Sequence, residues 1–134
     1  MVAAENTFTI QEVAAETGLS EHTLRYYERI GLIEDIQRAD NGHRRYSSTD
    51  VSWIEFLKKL RATGMPLAQM QCYADYKRQG SHTLGDRIDL LRKHRQVVRA
   101  QIENLQAFLS ILDYKIDYLT AQKEEVQNCE VIPS

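Results

Sequence analysis

The 134-residue chain is 43% hydrophobic and 27% charged, with 17 Lys and Arg against 19 Asp and Glu, which fits one small globular domain plus an extension and excludes disordered, collagenous and disulfide-scaffold classes. No apolar run exceeds four residues, and Met1-Val2-Ala3-Ala4-Glu5 has neither a basic flank nor a hydrophobic stretch; no membrane span or secretory signal is expected, and a cytoplasmic location is. A net charge of −2 exerts no global pull on nucleic acid or anionic lipid, so any contact with a polyanion has to come from local clustering of cations.

The first predicted helix opens at Thr9-Ile10-Gln11-Glu12, where the Thr9 hydroxyl and Glu12 carboxylate can satisfy each other's backbone amides, and Ile10, Val13 and Ala14 form a short apolar face that ends near Gly18. Only Gly18-Leu19 separates it from Ser20, an N-cap for a second helix running to about Ile30, with Leu19 placed to staple against Leu24. Gly31 then offers a left-handed stop, after which Leu32 and Ile33 fold back on the pair. Two short helices about a tight glycine turn are a helix-turn-helix.

From Ile36 to Tyr46 the pattern becomes strand-like around Asp40-Asn41-Gly42, a hairpin turn that needs positive φ, and a hairpin in this place reads as a wing. A third helix, capped by Ser48 or Thr49, carries Val51, Ile54, Leu57 and Leu60, widened by Trp53 and Phe56, and stops at Gly64. Pro66 suits the first turn of a fourth helix, which turns Leu67, Met70, Tyr73 and Ala74 to the core and ends at Gly80.

Beyond Gly80, Leu84, Ile88, Leu91, Arg95, Val98, Ile102, Leu105, Leu109, Leu112, Ile116 and Leu119 alternate steps of four and three with no proline or further break, all aliphatic except Arg95. Such a helix is roughly 50 Å long at about 1.5 Å per residue. No second long helix exists to cover this seam, so it is expected to form a homodimer, with Arg95 as a register device or a stem-packed surface residue. The expected organisation is residues 8–80 as the DNA-binding unit, 81–123 as the dimerisation helix and 124–134 as a loose tail.

The candidate recognition helix runs from Ser20 to Arg29. On the face away from Leu24 it offers Arg25 and tyrosine hydroxyls to phosphates, while His22 and Glu21 are placed near base edges. Tyr27 falls on the core side, so Arg25 and Tyr26 carry more weight. His43-Arg44-Arg45-Tyr46 makes a cationic and aromatic wing tip suited to the backbone or a minor groove. Lys58, Lys59 and Arg61 make a third cluster, and the three clusters are expected to form one positive surface. Cys72 and Cys129 lie outside any CxxC spacing, and neither a disulfide framework, a metal site nor a cofactor is expected. The sequence holds no P-loop, GxSxG or HExxH motif, and its histidines do not fall at ligand spacings, which argues against an enzyme.

Thr9-Ile10-Gln11-Glu12-Val13-Ala14, Leu24-Arg25-Tyr26-Tyr27-Glu28 with Gly31-Leu32-Ile33, Arg44-Arg45-Tyr46, and Leu60-Arg61-Ala62-Thr63-Gly64-Met65 together resemble the MerR family of bacterial transcription regulators over nearly the whole chain. The resemblance implies a mainly α fold: a winged helix-turn-helix followed by a long helix forming an antiparallel coiled-coil dimer. It implies binding to double-stranded promoter DNA at a dyad between polymerase elements set too far apart, and activation of RNA polymerase holoenzyme there by bending and untwisting the spacer. Tyr26 and Arg61 would then hold phosphates near the distorted centre, flanked by Arg25 and Tyr27, with Arg44 anchoring the wing. The full candidate set is Thr9, Ser20, His22, Arg25, Tyr26, Tyr27, His43, Arg44, Arg45 and Arg61.

The third to fifth helices resemble the branch with thiol-based aldehyde and nitrosative-stress sensors, whose reactive cysteine lies late in the third helix. Lys59 stands at that position here, so the thiol chemistry does not carry over, and Cys72 in the fourth helix is the substitute candidate, with an inert, partly buried thiol as the alternative. A small effector or redox event near the junction of the fourth and dimer helices stays open. The competing functions are a plain repressor or architectural DNA-binding protein and, outside DNA binding, a coiled-coil interaction protein.

Overall fold

A computed structural model describes residues 6–34 and 36–130. In order these form α1 (Ile10–Thr17), α2 (Glu21–Arg29), β1 (Gln37–Arg38), β2 (Arg44–Arg45), α3 (Ser48–Ala62), α4 (Leu67–Gln79), a single 3₁₀ turn (Ser81–Thr83) and α5 (Leu84–Glu130). Among the described residues no helix is long and apolar enough to cross a membrane. Their contacts divide the chain into a unit ending at Arg92 and another beginning at Lys93.

In the first unit, local chemistry sets the element ends. Thr9 and Glu12 form the reciprocal capping box at α1, and Gly18 closes that helix at φ 76°. Ser20 caps α2 by accepting from the Thr23 amide. The cap of α3 is Ser47, one residue earlier than expected, because Asp50 three residues on completes a second reciprocal box that Ser48 and Thr49 lack. Pro66 likewise stands just before α4 rather than inside it, at φ −62° and ψ 147°, an extended conformation that launches the helix.

The core joins Val13 of α1, Leu24 and Tyr27 of α2, Leu32, Ile33 and Tyr46 from the segments around the hairpin, and Ile54, Leu57, Met65 and Met70 from α3, α4 and their turn. Each large aliphatic side chain among them contributes about 1.5–3 kcal/mol by leaving water. Polar ties hold the helices in register. The Ile30 carbonyl at the end of α2 accepts from Gln71 Nε2 at 3.1 Å, and the Gly31 carbonyl accepts from Arg78 Nη1 at 2.6 Å. These are carbonyls that a helix end leaves without intrahelical partners.

β1 and β2 pair antiparallel, Gln37 opposite Arg45 and Arg38 opposite Arg44, around a turn in which Gly42 takes φ 83°. The Phe8 and Tyr46 backbones exchange hydrogen bonds of 2.8 and 2.9 Å, which ties the segment before α1 to the foot of the hairpin. Tyr46, expected at the wing tip, is instead fully buried; the bridge to Phe8 places it at the hairpin's base with its side chain in the core.

The compact first unit continues past the expected boundary at residue 80, because Leu90 and Leu91 of α5 pack on its core. Leu91 was expected in the dimer seam, and here its own chain half-covers it. In the second unit Ile102, Leu105, Leu109, Leu112, Ile116 and Leu119 are all exposed. The helix also runs to Glu130, so residues 124–130 are helical rather than the loose tail expected; Gln, Lys and Glu favour helix there. Residues 131–134 of that expected tail lie outside the described residues. At 47 residues α5 is about 70 Å long. Val126, exposed seven residues beyond Leu119, extends the seam by a further heptad position.

Candidate nucleic-acid interface

Helix α2 exists as a presentable rod because Leu24 and Tyr27 anchor one side in the core. That leaves His22, Arg25 and Arg29 exposed on the other, with Tyr26 half-buried between them. Arg25 pairs with Glu21 one turn back at 3.3 Å, and the Arg29 guanidinium lies 5.7 Å from the Tyr26 ring centroid. Beside this face stands the hairpin. The two elements and the start of α1 enclose a cleft of about 510 Å³ whose wall includes Thr9, Arg25, Arg38, His43, Arg44 and Arg45.

Glu28 organises the cleft. Its Oε2 accepts from Arg44 Nε at 2.5 Å, and its Oε1 lies 4.0 Å from Arg38 Nη2, so one carboxylate on α2 binds both strands of the wing. Because Arg44 spends Nε on this contact, its two terminal amino groups keep their donors for an incoming oxyanion. Arg38 also donates from Nη1 to the Gly42 carbonyl at 2.9 Å, bracing the turn. Beneath the pair, the buried Tyr46 hydroxyl has no hydrogen-bond partner among the described residues. Burial first, and then the Glu28 charge, push its phenol above the ordinary 10.0.

The structure thus gathers Thr9, Arg25, His43, Arg44 and Arg45 around one cleft. The Thr9 oxygen accepts from the Glu12 amide at 3.1 Å as the α1 cap. Ser20 accepts from the Thr23 amide at 3.0 Å and donates to Thr23 Oγ1 at 2.9 Å, so its hydroxyl is committed to α2. Tyr27 is a core residue.

The third cationic cluster lies outside the wall of the cleft. Lys58 reaches across to donate to the Thr17 carbonyl at the end of α1, and Arg61, exposed at the end of α3, donates to the Met65 carbonyl at 3.3 Å. Sequence reasoning missed Arg38 and Glu28. Arg38 could have been found as the residue facing Arg44 across the hairpin; the Glu28–Arg44 pair is a tertiary contact with no local signature.

Cys72 is exposed on α4. The Tyr76 phenol one turn on is raised above its ordinary value, first by a hydrogen bond with the Cys72 side chain and then by its charge. Cys129 is exposed on α5.

A helix-turn-helix whose second helix and wing share an arginine-lined cleft defines a DNA-binding protein of the winged helix-turn-helix class. The chain belongs to the MerR family of transcription regulators: the model for the MerR HTH family regulatory protein matches residues 8–77, and that for the MerR DNA-binding region matches residues 51–115. An HTH-type transcriptional regulator from Haemophilus influenzae is 32% identical over 117 residues, 87% of each chain. AdhR of Bacillus subtilis, also an HTH-type transcriptional regulator, is 40% identical over 87 residues, 65% of this chain and 62% of that one. Among solved structures, HiNmlR, a MerR family regulator lacking the sensor domain and bound to promoter DNA, superposes with a TM-score of 0.81 at 31% identity over 89% of this chain and 94% of that one. A MerR family protein from Listeria monocytogenes gives 0.83 at 37% identity over 92% and 97%.

Proposed function

We propose that this DNA-binding transcription regulator acts as a homodimer on a promoter dyad and activates RNA polymerase holoenzyme by bending and untwisting an over-long spacer. The observation that carries the reading is the pairing, in one chain, of an arginine-lined cleft with a long helix whose apolar seam stands in water from Ile102 to Leu119. An exposed stripe of that length requires a partner, and a second copy supplies the same stripe in the antiparallel orientation that the family resemblance implies. Two clefts on one dimer match a two-fold DNA site. Arg25, Arg44 and Arg45 then grip phosphates, with His22 at the helix start near base edges and Arg61 and Tyr26 on the backbone toward the dyad. Backbone contacts in two half-sites offset a DNA deformation of a few kcal/mol, which adds readout by shape to the base-edge contact of His22.

Selection of sheared genomic DNA with the purified protein, sequenced at two salt concentrations, tests the dyad. Transcription from the recovered promoter with its spacer shortened in single-base steps then tests the mechanism. Activation should be confined to the long spacers; a site that represses at every spacer length would mark a plain repressor.

A further inference from the structure

A second cavity, of about 240 Å³, lies away from the arginine-lined cleft, between the segment entering the wing, the first turn of α3 and the last turn of α4. Leu32, Trp53 and Ala74 give it an apolar wall, and Thr49, Asp50 and Lys77 give it a polar one. Its acids are largely occupied: Glu34 pairs with Arg78 at 2.7 Å, and Asp50 accepts from the Ser47 amide at 2.8 Å as the α3 cap.

Arg78 is occupied too, by Glu34, Asp75 and the Gly31 carbonyl. Lys77 has no carboxylate or carbonyl partner of that kind: its Nζ stands over the Trp53 ring, 3.9 Å from the centroid, and no described residue accepts a hydrogen bond from it. Burial and then the nearby Arg87 charge lower its pKa, and the Asp50 charge opposes them only in part; a bound anion would act in the same sense as Asp50. The Thr49 hydroxyl at the same wall also makes no hydrogen bond within the described residues. The cavity therefore presents, beside an apolar surface, an amino and a hydroxyl group without an acceptor among the described residues.

We infer that this cavity binds a small organic carboxylate, its oxygens held by Lys77 Nζ and Thr49 Oγ1 and its body packed against Leu32, Trp53 and Ala74. The volume sits just below the roughly 300 Å³ at which drug-sized sites begin, so the ligand is a short-chain acid. Such a ligand bridges the approach to the wing and the end of α4. Acting as an effector, it would shift the regulator toward whichever wing position it binds better; this consequence rests on the proposed function, whereas binding itself does not.

Trp53 is the chain's one tryptophan and lines the cavity, so its emission reports occupancy directly. The full chain is titrated with sodium butyrate, with sodium chloride as ionic-strength control and n-butylammonium chloride as the same body with the opposite charge. Saturation-transfer NMR on the butyrate methyl gives a readout independent of the indole. Butyrate should saturate with a dissociation constant on the order of 1 mM, as expected for six heavy atoms. Lys77→Gln should weaken it about tenfold and Thr49→Val by a smaller factor, with circular dichroism unchanged. No saturation by about 50 mM, an equal response to butylammonium, or an unaltered constant in Lys77→Gln overturns the assignment. A failed DNA selection with intact butyrate binding would reject the promoter reading alone.

Discussion

Replacing Arg44 by Ala removes a brace and, on the proposed function, a phosphate donor as well. In the brace, Nε meets Glu28 at 2.5 Å with the two side chains 23% and 24% exposed, and the remaining cation near Glu28 is Arg38, at 4.0 Å and half exposed. A charge-assisted hydrogen bond contributes about 1.5–3 kcal/mol; residual solvent screening and the presence of Arg38 bring the expected loss of folding stability to about 1–2 kcal/mol. In the proposed dimer on DNA, one lost phosphate contact per protomer would be two per dimer. At about 0.9 per phosphate, the slope of log K against log salt should flatten by about 1.8. Fluorescence anisotropy with a labelled operator between about 50 and 200 mM KCl measures that slope, and urea unfolding measures the stability. Glu28→Gln is the matched control, since it weakens the same brace but keeps the guanidinium, so stability should fall while the slope stays. An Arg44→Ala protein that is destabilised yet keeps the wild-type slope would refute the phosphate role and leave Arg44 as a brace alone.

Lys58→Met should lower stability by about 0.5–1 kcal/mol through loss of its hydrogen bond at the carbonyl end of α1, and leave the salt slope of operator binding unchanged; a flattened slope would return Lys58 to the interface. Tyr46→Phe removes a buried hydroxyl that has no partner among the described residues, so urea unfolding at pH 7 should show no loss and up to about 1 kcal/mol of gain. Because burial holds that phenol above 10.0, the folded state keeps its proton longer than the unfolded chain. Its contribution is complete below pH 10.0 and lost as pH rises through the raised value, so the wild type should lose stability more steeply than Tyr46→Phe on that alkaline limb. Leu109→Glu places a charge in the middle of the exposed seam; sedimentation should show a monomer and operator affinity should fall by well over tenfold, as roughly half the contacts go. A stable dimer in that variant would move the interface off the seam.

The parts of this molecule written in short-range chemistry were legible in its sequence. Thr9 and Glu12 announced the start of α1, Ser20 that of α2, and Asn41-Gly42 the hairpin. Each works within a few residues, where a hydroxyl or a positive φ has few alternatives. What escaped depends on distant partners. Tyr46 looked like part of a wing tip because a histidine and two arginines precede it, whereas its bridge to Phe8 takes it into the core. Lys58 looked like a free cation until the end of α1 was brought to it. Glu28, lying within a recognisable family motif, gave no sign that its carboxylate would hold Arg44, sixteen residues away. In the candidate site, Arg25, Arg44 and Arg45 were therefore readable, whereas Arg38 and the anion that arranges these cations were not.

Gln71 and Arg78 sit at two separate points along α4 and both hold carbonyls at the close of α2. Two attachment points resist rotation where a single one would act as a swivel. A tilt of α4 is thus transmitted to the recognition helix as torque, instead of being absorbed in the turn at Gly31. The long helix that follows α4 in the chain begins only a 3₁₀ turn later, so strain applied at its start has a stiff route to the exposed face of α2.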